Sequence, residues 1–412
     1  MENGTEPLRS ILHCDCNNFF ASCELLSRPD LRNSPVAVTG DPTDRHGIVV
    51  AKNDIAKKYG VRTAETIYSA RQKCPQLVCL PAHHDLYSEI SKKVNAIYLQ
   101  YTDLVDPFGI DESFLDITGS LTYLKKTPHE VADELRARVK AEIGITISVG
   151  VSFCKVFAKL GSDYKKPDAT TEITPQNKAE IVDPLPASDL LYVGKQTNLA
   201  LNRMGIFTIG QLAQTREEDL EEVLGEAGKT LWIYANGLDR EPVHAYHERR
   251  EVKSVGNSMT FRRDISGEEE IRQGLSELAD SVASRLRRAN LKGSVLQIQV
   301  KDPNFRVVQK QCQLNEPTWL KSVLVPRAMQ LISAMHMMDK PVRLLSLTVT
   351  GLIPADQVER QLTIFDNPDG ESGDKKEMVE DVLADIRSRY GRNSIFLGMY
   401  ENPEIGIRHK ES

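Results

Sequence analysis

Asp111 and Glu112 stand side by side in FGIDESFLDITG, residues 108–119, between the apolar Ile110 and Phe114. A regular strand sends neighbouring side chains to opposite faces. Pro107 and Gly109 just upstream favour a break, so the spacing predicts a tight hairpin with both carboxylates at its tip. A third acid, Asp15, closes the first apolar strand in ILHCDCNNFFASCE. Carboxylates gathered this closely raise one another's pKa and resist joint ionisation. A bound divalent cation removes that conflict, and ligation by oxygen alone favours Mg²⁺, which binds a few carboxylates together with substrate phosphates. Two such ions about 3.5–4 Å apart serve in-line phosphoryl displacement. The plain alternative is three solvated loop or capping acids. His13, Cys14 and Cys16 invite a zinc reading, but with the two thiols on one strand face and His13 on the other, core packing is the expectation.

The elements that must position these acids form an α/β block. A strand from Ile11 to Asp15 leads into a helix at Phe19–Phe20, then a second strand, GIVVAK. NDIAKKYGV predicts a short helix with Asn53 as N-cap and Gly60 as terminator. An amphipathic helix at 85–101, strands at 103–108 and 113–118, a helix at 128–142, the strand ITISVGVS and a helix from Lys155 to Asp163 complete the block. That order, with its insert after the first strand, suits a split βαβ or ferredoxin-like sheet. From Pro184 to about 242 the chain predicts short helices broken at Gly194, Gly205, Gly225, Gly228 and Gly237. A charged linker, HERREVK, precedes a β–α–β–β–α–β pattern over 252–352, then the polar stretch NPDGESGDKK and an amphipathic helix at 375–389. The fold class is α+β, multidomain.

A length of 412 residues with 40% hydrophobic content allows two to four compact units. No apolar run approaches the ~20 residues that span a bilayer, and MENGTEPLRS lacks a signal-peptide pattern. Seven cysteines without metal-ligand spacing point to reduced thiols in the cytoplasm. A net charge of −6, taken as one number, argues against a nucleic-acid binder. Yet residues 241–360 hold 18 Lys plus Arg against 14 Asp plus Glu, while 361–412 sum to −4. A mildly basic module followed by an acidic tail implies separate tasks.

HCDCNNFFASCE, GIDESFLDIT and GVSFCKVFAKLGSDYKKPD resemble, in order and spacing, the three palm motifs of the Y-family DNA polymerases, the lesion-bypass enzymes. The resemblance is closest to the bacterial DinB-type polymerase IV, with some features of the UmuC branch. It implies a right-hand polymerase with a ferredoxin-like palm (1–26 and 84–180), small fingers (27–83), a helical thumb (181–243), a linker (244–251), an α/β little finger (252–354) and a tail (355–412). By motif matching, Asp15, Asp111 and Glu112 are the catalytic acids and bind two Mg²⁺ ions, with the backbone carbonyl of Cys16 as a further ligand. Phe19, Phe20, Lys57 and Lys166 form the implied nucleotide-binding set. Phe20 aligns with the steric gate that excludes a ribose 2′-OH, and Phe19 is expected to pack beside it. Lys166 matches the palm lysine that touches the triphosphate.

The fingers depart from the pattern. Ala51, Asp54 and Lys57 stand where many members carry Thr, Tyr and Arg; Asp54 is expected at the first helical position, where the dipole favours it, and Lys52 is an alternative source of charge. YVGKQTNLALNRMGIFTIGQLA resembles the thumb's helix-hairpin-helix, with Gly194 and Lys195 at DNA phosphates; a simple αα-hairpin is its alternative. Along 252–352 hydroxyls, amides and cations alternate with apolar residues, which puts Ser258, Thr260 and Arg262 on a polar sheet face such as any half-buried sheet shows; the resemblance to the little finger implies that this face meets DNA. QLTIF resembles the peptide that enters the bacterial beta sliding clamp, through Gln361, Leu362 and Phe365. The implied protein is a monomeric, template-directed, low-fidelity polymerase that adds dNTPs to primer–template DNA, without proofreading or membrane attachment. A palm-fold nucleotidyl cyclase and a DNA- and clamp-binding scaffold remain the alternatives.

Overall fold

The computed structural model describes residues 8–40, 47–248, 251–358, 373–391, 394–395 and 403–406. Its described residues fall into two compact units, the first ending at 248 and the second beginning at 251. In the first, β1 (Ile11–Cys16) is buried along its whole length and runs into α1 (Phe19–Leu26). A small three-stranded sheet follows, built from β2 (Val36–Thr39), β3 (Val49–Lys52) and β4 (Val78–Pro81) in the order β3-β2-β4. Helices α2 (Asp54–Lys58) and α3 (Ile67–Lys73) lie between β3 and β4 in the chain. Only GIVVAK had announced a strand here. The four residues of β2 and of β4 are too few to show a period, and neighbouring strands supply their hydrogen bonds. Asn53 is the N-cap as expected, its side chain accepting from the N–H groups of both Ala56 and Val36, and Gly60 ends the segment at φ 79°.

The chain returns through α4 (His84–Tyr98) to β5 (Val105–Pro107) and β6 (Glu112–Asp116), then α5 (Leu121–Leu124), α6 (Pro128–Glu142), β7 (Ile147–Ser152), α7 (Lys155–Tyr164) and β8 (Thr170–Ile173). The five-stranded sheet has the order β5-β6-β1-β7-β8. Without β8 this is the ferredoxin-like order, all neighbours antiparallel. β8 extends it parallel to β7 and had no forecast. A Thr127–Glu130 capping box starts α6 where the sequence placed it. Gly150 is what lets α7 lie on the sheet: a Cβ there would come 1.9 Å from the Ala158 carbonyl and 2.4 Å from the Ser162 nitrogen. The unit ends in short helices, α8 (Lys178–Ile181), α9 (Lys195–Arg203), α10 (Ile209–Gln214), α11 (Glu217–Leu224) and α12 (Glu226–Ala235), packed around Leu201, Ile209, Leu212, Leu220 and Leu231.

The second unit realises the expected pattern as β9 (Ser254–Ile265), α13 (Glu268–Arg288), β10 (Leu291–Lys301), β11 (Val307–Thr318), α14 (Lys321–Ala334) and β12 (Val342–Pro354). Its antiparallel sheet has the order β11-β10-β12-β9, with Phe261, Leu296, Ile298, Val300, Leu345, Leu347 and Val349 on the buried side. A last helix, α15 (Gly373–Tyr390), sends Glu380 to Arg287 at 2.6 Å and to the N–H groups of Lys321 and Ser322, which caps α14 from a distance in sequence. Gln361, Leu362 and Phe365 lie outside the described residues. All seven cysteines are free; five are buried, and Cys79 and Cys312 are partly exposed. Among the described residues no helix is long and apolar enough to cross a membrane.

Candidate active site

Antiparallel pairing of β1 with β6 sets Asp15 directly opposite Glu112. The hairpin between β5 and β6 is tight, with the N–H groups of Phe108 and Gly109 both donating to the Glu112 carbonyl at 3.0 and 3.1 Å. Only Asp111 lies in its turn, where its carbonyl accepts from the Cys16 N–H at 2.9 Å. The expectation of two acids at the tip is thereby corrected: Glu112 is the first residue of β6 and owes its place to strand pairing. Cys14 and Cys16 are buried on the opposite strand face from Asp15, which leaves the backbone of Cys16 as its means of joining the acids.

His13 shares a strand face with Asp15. Its ring is fully buried edge-on to Phe114, as core packing would have it, with ring centroids 4.6 Å apart. It does more than pack, because Nε2 comes within 3.3 Å of a Glu112 oxygen while Nδ1 meets the Ser162 hydroxyl at 2.8 Å. One ligand atom each from His13, Asp15 and Glu112 lie within 4.8 Å of one another.

Two lysines enter the cluster from α7 and the turn after it. Lys159 Nζ lies 2.6 Å from Glu112 and 3.1 Å from Asp15, and Lys166 Nζ lies 2.8 Å from Asp15 and 2.6 Å from Asp163. Lys166 is the lysine expected at a triphosphate, and here it pairs with Asp15 and Asp163; Lys159 carried no expectation. The available signal was the spacing of Lys155, Lys159 and Asp163, four residues apart and so on one helix face. Lys155 reaches a different acid, Asp106, at 3.2 Å, with both side chains buried.

Burial by itself would push Glu112 up, but the approach of His13 and the hydrogen bond from Lys159 outweigh it and hold the carboxyl down at about 2. Asp111 is raised, first by burial and then by the charges of Asp15 and Glu112; among the described residues no ammonium bridges it. Burial opposes charge on both lysines, yet the surrounding carboxylates raise Lys159 and Lys166 above the ordinary lysine value. Burial lowers His13. The donor set therefore suits cations: carboxylates converge in half-buried surroundings, and positive groups already crowd against them. Among the described residues the group within ligand reach is Asp15, Glu112 and His13, without Asp111, and its two carboxylates are hard-oxygen donors of the kind a divalent cation takes.

Phe20 is half-buried on α1 and stacks flat on Tyr87, centroids 4.2 Å apart at 12°, with His84 edge-on at 5.9 Å. The Tyr87 hydroxyl donates to the buried carboxylate of Glu24, which also accepts from His83 at 3.0 Å. Phe19 is 3% exposed, its ring packed in the core beside Phe20 as expected, which leaves its backbone as the part that a nucleotide could meet. In the fingers segment Asp54 occupies the first turn of α2, as expected. Lys57 is exposed, and Lys52 donates to the Thr63 hydroxyl at 3.0 Å. The structure records no contact of either lysine with the acid cluster among the described residues.

Gly194 is the N-cap of α9 and Lys195 its first residue. The glycine's φ of −78° is open to any residue, and a Cβ would meet nothing within 4 Å, so what it offers is open space. In the second unit the polar face is continuous across strands. Gln309, Gln299, Ser346 and Ser258 form one row, and Gln311, Gln297, Thr348 and Gly256 the next. Ser258 and Thr260 are exposed on that sheet. The β12–β9 pairing shifts register between Val342 and Leu344, and its partners pass from Thr260 to Ile265, so Arg262 falls within the irregularity and outside the simple alternation.

Residues 14–163 match the impB/mucB/samB family, and residues 252–364 match the impB/mucB/samB family C-terminal domain. The chain is similar to a DNA polymerase IV of Acetivibrio thermocellus, 45% identical over 391 residues, covering 95% of this chain and 97% of that one. It is also similar to DNA polymerase IV 1 of Bacillus subtilis, 36% identical over 392 residues, covering 95% and 92%. Among solved structures, a Y-family DNA polymerase chimera of Dbh and Dpo4 shares the fold, with TM-score 0.73 and 20% identity over 84% of this chain and 99% of that one.

Proposed function

The chain belongs to the Y-family DNA polymerases of the DinB, or polymerase IV, type, and on that premise we propose a template-directed polymerase that extends primers opposite damaged bases. The observation that carries the reading is Asp15 opposite Glu112 with Asp111 in the adjoining turn. Asp15, Asp111 and Glu112, with the Cys16 carbonyl, would hold two Mg²⁺ ions. When bound, these supply a lowered pKa for the primer 3′-hydroxyl and neutralisation of the leaving pyrophosphate.

The chain's own residues do the rest. Lys166 presents a compact positive charge to the triphosphate. Phe20, backed by Tyr87, occupies the room that a 2′-OH would need. Gly194 and the N-terminus of α9 offer backbone N–H groups to a phosphate, a grip that carries no sequence information. Ser258, Thr260 and Arg262 sit on the little-finger surface proposed to track the duplex. The palm, fingers, thumb and little-finger limits given above are part of this proposal, as are a monomeric state, a cytoplasmic location and dNTP as the incoming substrate.

The deciding experiment is primer extension on an undamaged template with Mg²⁺ and dNTPs. Extension by wild type and none by Asp111→Ala with Glu112→Ala supports the reading. If neither protein extends a primer that both bind, the acids serve another purpose and the scaffold reading takes over. The cyclase reading has no use for a second unit that matches the family's C-terminal domain. Gln361, Leu362 and Phe365 are proposed to dock on a sliding clamp. Deleting 361–365 is expected to abolish clamp-stimulated extension and to leave clamp-free extension unchanged.

A further inference from the structure

Lys159 occupies an unusual place for a side chain whose charge normally stays in water. Its side chain is 18% exposed, with the ammonium 2.6 Å from Glu112, 3.1 Å from Asp15 and 3.6 Å from Asp163. Asp15 and Glu112 are two of the carboxylates that a divalent cation would need. Lys166 is differently placed, shared between Asp15 and Asp163, with no contact to Glu112 within ion-pair distance. The backbone beneath Lys159 is fixed, because the contact of α7 with β7 at Gly150 leaves no room even for a methyl group. The side chain is not fixed: four methylenes let the ammonium move while the helix stays.

We infer that Lys159 is a resident counter-ion that holds Asp15 and Glu112 together in the absence of a divalent cation, competes with that cation for them, and yields when a cation and a triphosphate arrive together. The inference rests on the metal-binding reading above. An ammonium at hydrogen-bond distance from both carboxylates would lie a few ångströms from a cation that they ligate at about 2.0–2.1 Å, and the two positive charges repel. Removing the ammonium without a replacement leaves carboxylates that repel one another. A triphosphate offers the displaced ammonium a new anionic partner, so nucleotide and cation assist each other's binding. By linkage, that assistance is reciprocal.

The test is Mn²⁺ titration of the full-length protein, with free ion followed by electron paramagnetic resonance and without nucleotide. It compares wild type with Lys159→Met and Lys159→Gln, and uses Asp111→Ala with Glu112→Ala as the control. Thermal melting is recorded with and without Mn²⁺. The neutral variants are expected to bind Mn²⁺ about tenfold more tightly than wild type and to melt lower without the ion, with the deficit recovered when it is added. A non-hydrolysable dNTP analogue is expected to tighten Mn²⁺ binding more in wild type than in either variant. If wild type binds Mn²⁺ above the control and both folded variants bind equally or more weakly, the counter-ion inference is overturned while the metal reading stands. If neither wild type nor the neutral variants bind more than the control, the metal reading itself fails. Should Lys159→Met not fold, Lys159→Gln, which keeps a polar head in the cluster, carries the same comparison.

Discussion

Phe20 shows how the task proposed for a single side chain depends on its supports. Its ring lies flat on Tyr87, whose hydroxyl is anchored on the buried Glu24, so the exposed edge of Phe20 is held at a fixed depth. Phe20→Ala is expected to cut the preference for dNTP over rNTP, measured as the ratio of kcat/KM values, by roughly 10–200-fold. Unchanged discrimination would remove the gate assignment. The acids were legible in the sequence because Pro107 and Gly109 break the strand beside them and because two adjacent carboxylates need a reason to sit in an apolar segment. Lys159 was not, since a lysine on an amphipathic helix is ordinarily solvated and only the fold brings β1 and β6 beneath it. His13 was half legible: its burial could be read from the strand, and its second nitrogen's approach to Glu112 could not.

At the scale of elements, the turn after α7 is held by α6. Arg136 donates to Asp168 at 2.9 Å and to its carbonyl, Lys140 reaches the other carboxylate oxygen at 2.9 Å, and Asn17 accepts from the Asp168 N–H at 2.9 Å. That turn carries Lys166. Burial pushes the Asp168 carboxyl up, but Lys140 and Arg136 outweigh it and hold it below its ordinary 3.8. A lowered folded-state value means that the stabilisation is present above about pH 4 and disappears as pH falls through the folded value. Wild type should therefore exceed Asp168→Asn in urea-unfolding stability at pH 6, by about 1 kcal/mol or less for so exposed a pair. The gap should narrow at pH 3, and a gap independent of pH would show that the ion pairs are not its source. Long elements with caps, such as α6, were readable to the residue. β2, β4 and β8 were not, because four-residue strands take their identity from the partner strand.

For the molecule as a whole, the net charge of −6 conceals a second unit whose polar sheet face is made mostly of amides and hydroxyls. DNA held on such a face would be gripped by hydrogen bonds and would release few counterions. Gln297→Ala with Gln299→Ala is expected to weaken DNA binding with no change in its salt slope, whereas Arg262→Ala should reduce that slope by about 1. Equal slopes for all three proteins would take Arg262 off the phosphate path. The β–α–β–β–α–β order and the buried side of this sheet followed directly from the alternation in VKSVGNSMTFRR and SVLQIQVKD. The strand order β11-β10-β12-β9 did not, because alternation fixes which face a residue takes and leaves the neighbour of each strand open.

The cysteines have a practical consequence. Burial pushes the thiols of Cys23 and Cys154 up to about 12 and those of Cys14 and Cys16 well above the ordinary range, so they resist electrophiles at neutral pH. The partly exposed pair, Cys79 on β4 and Cys312 on β11, falls one in each compact unit. Maleimide dyes added to the unaltered chain would therefore report on both units at once.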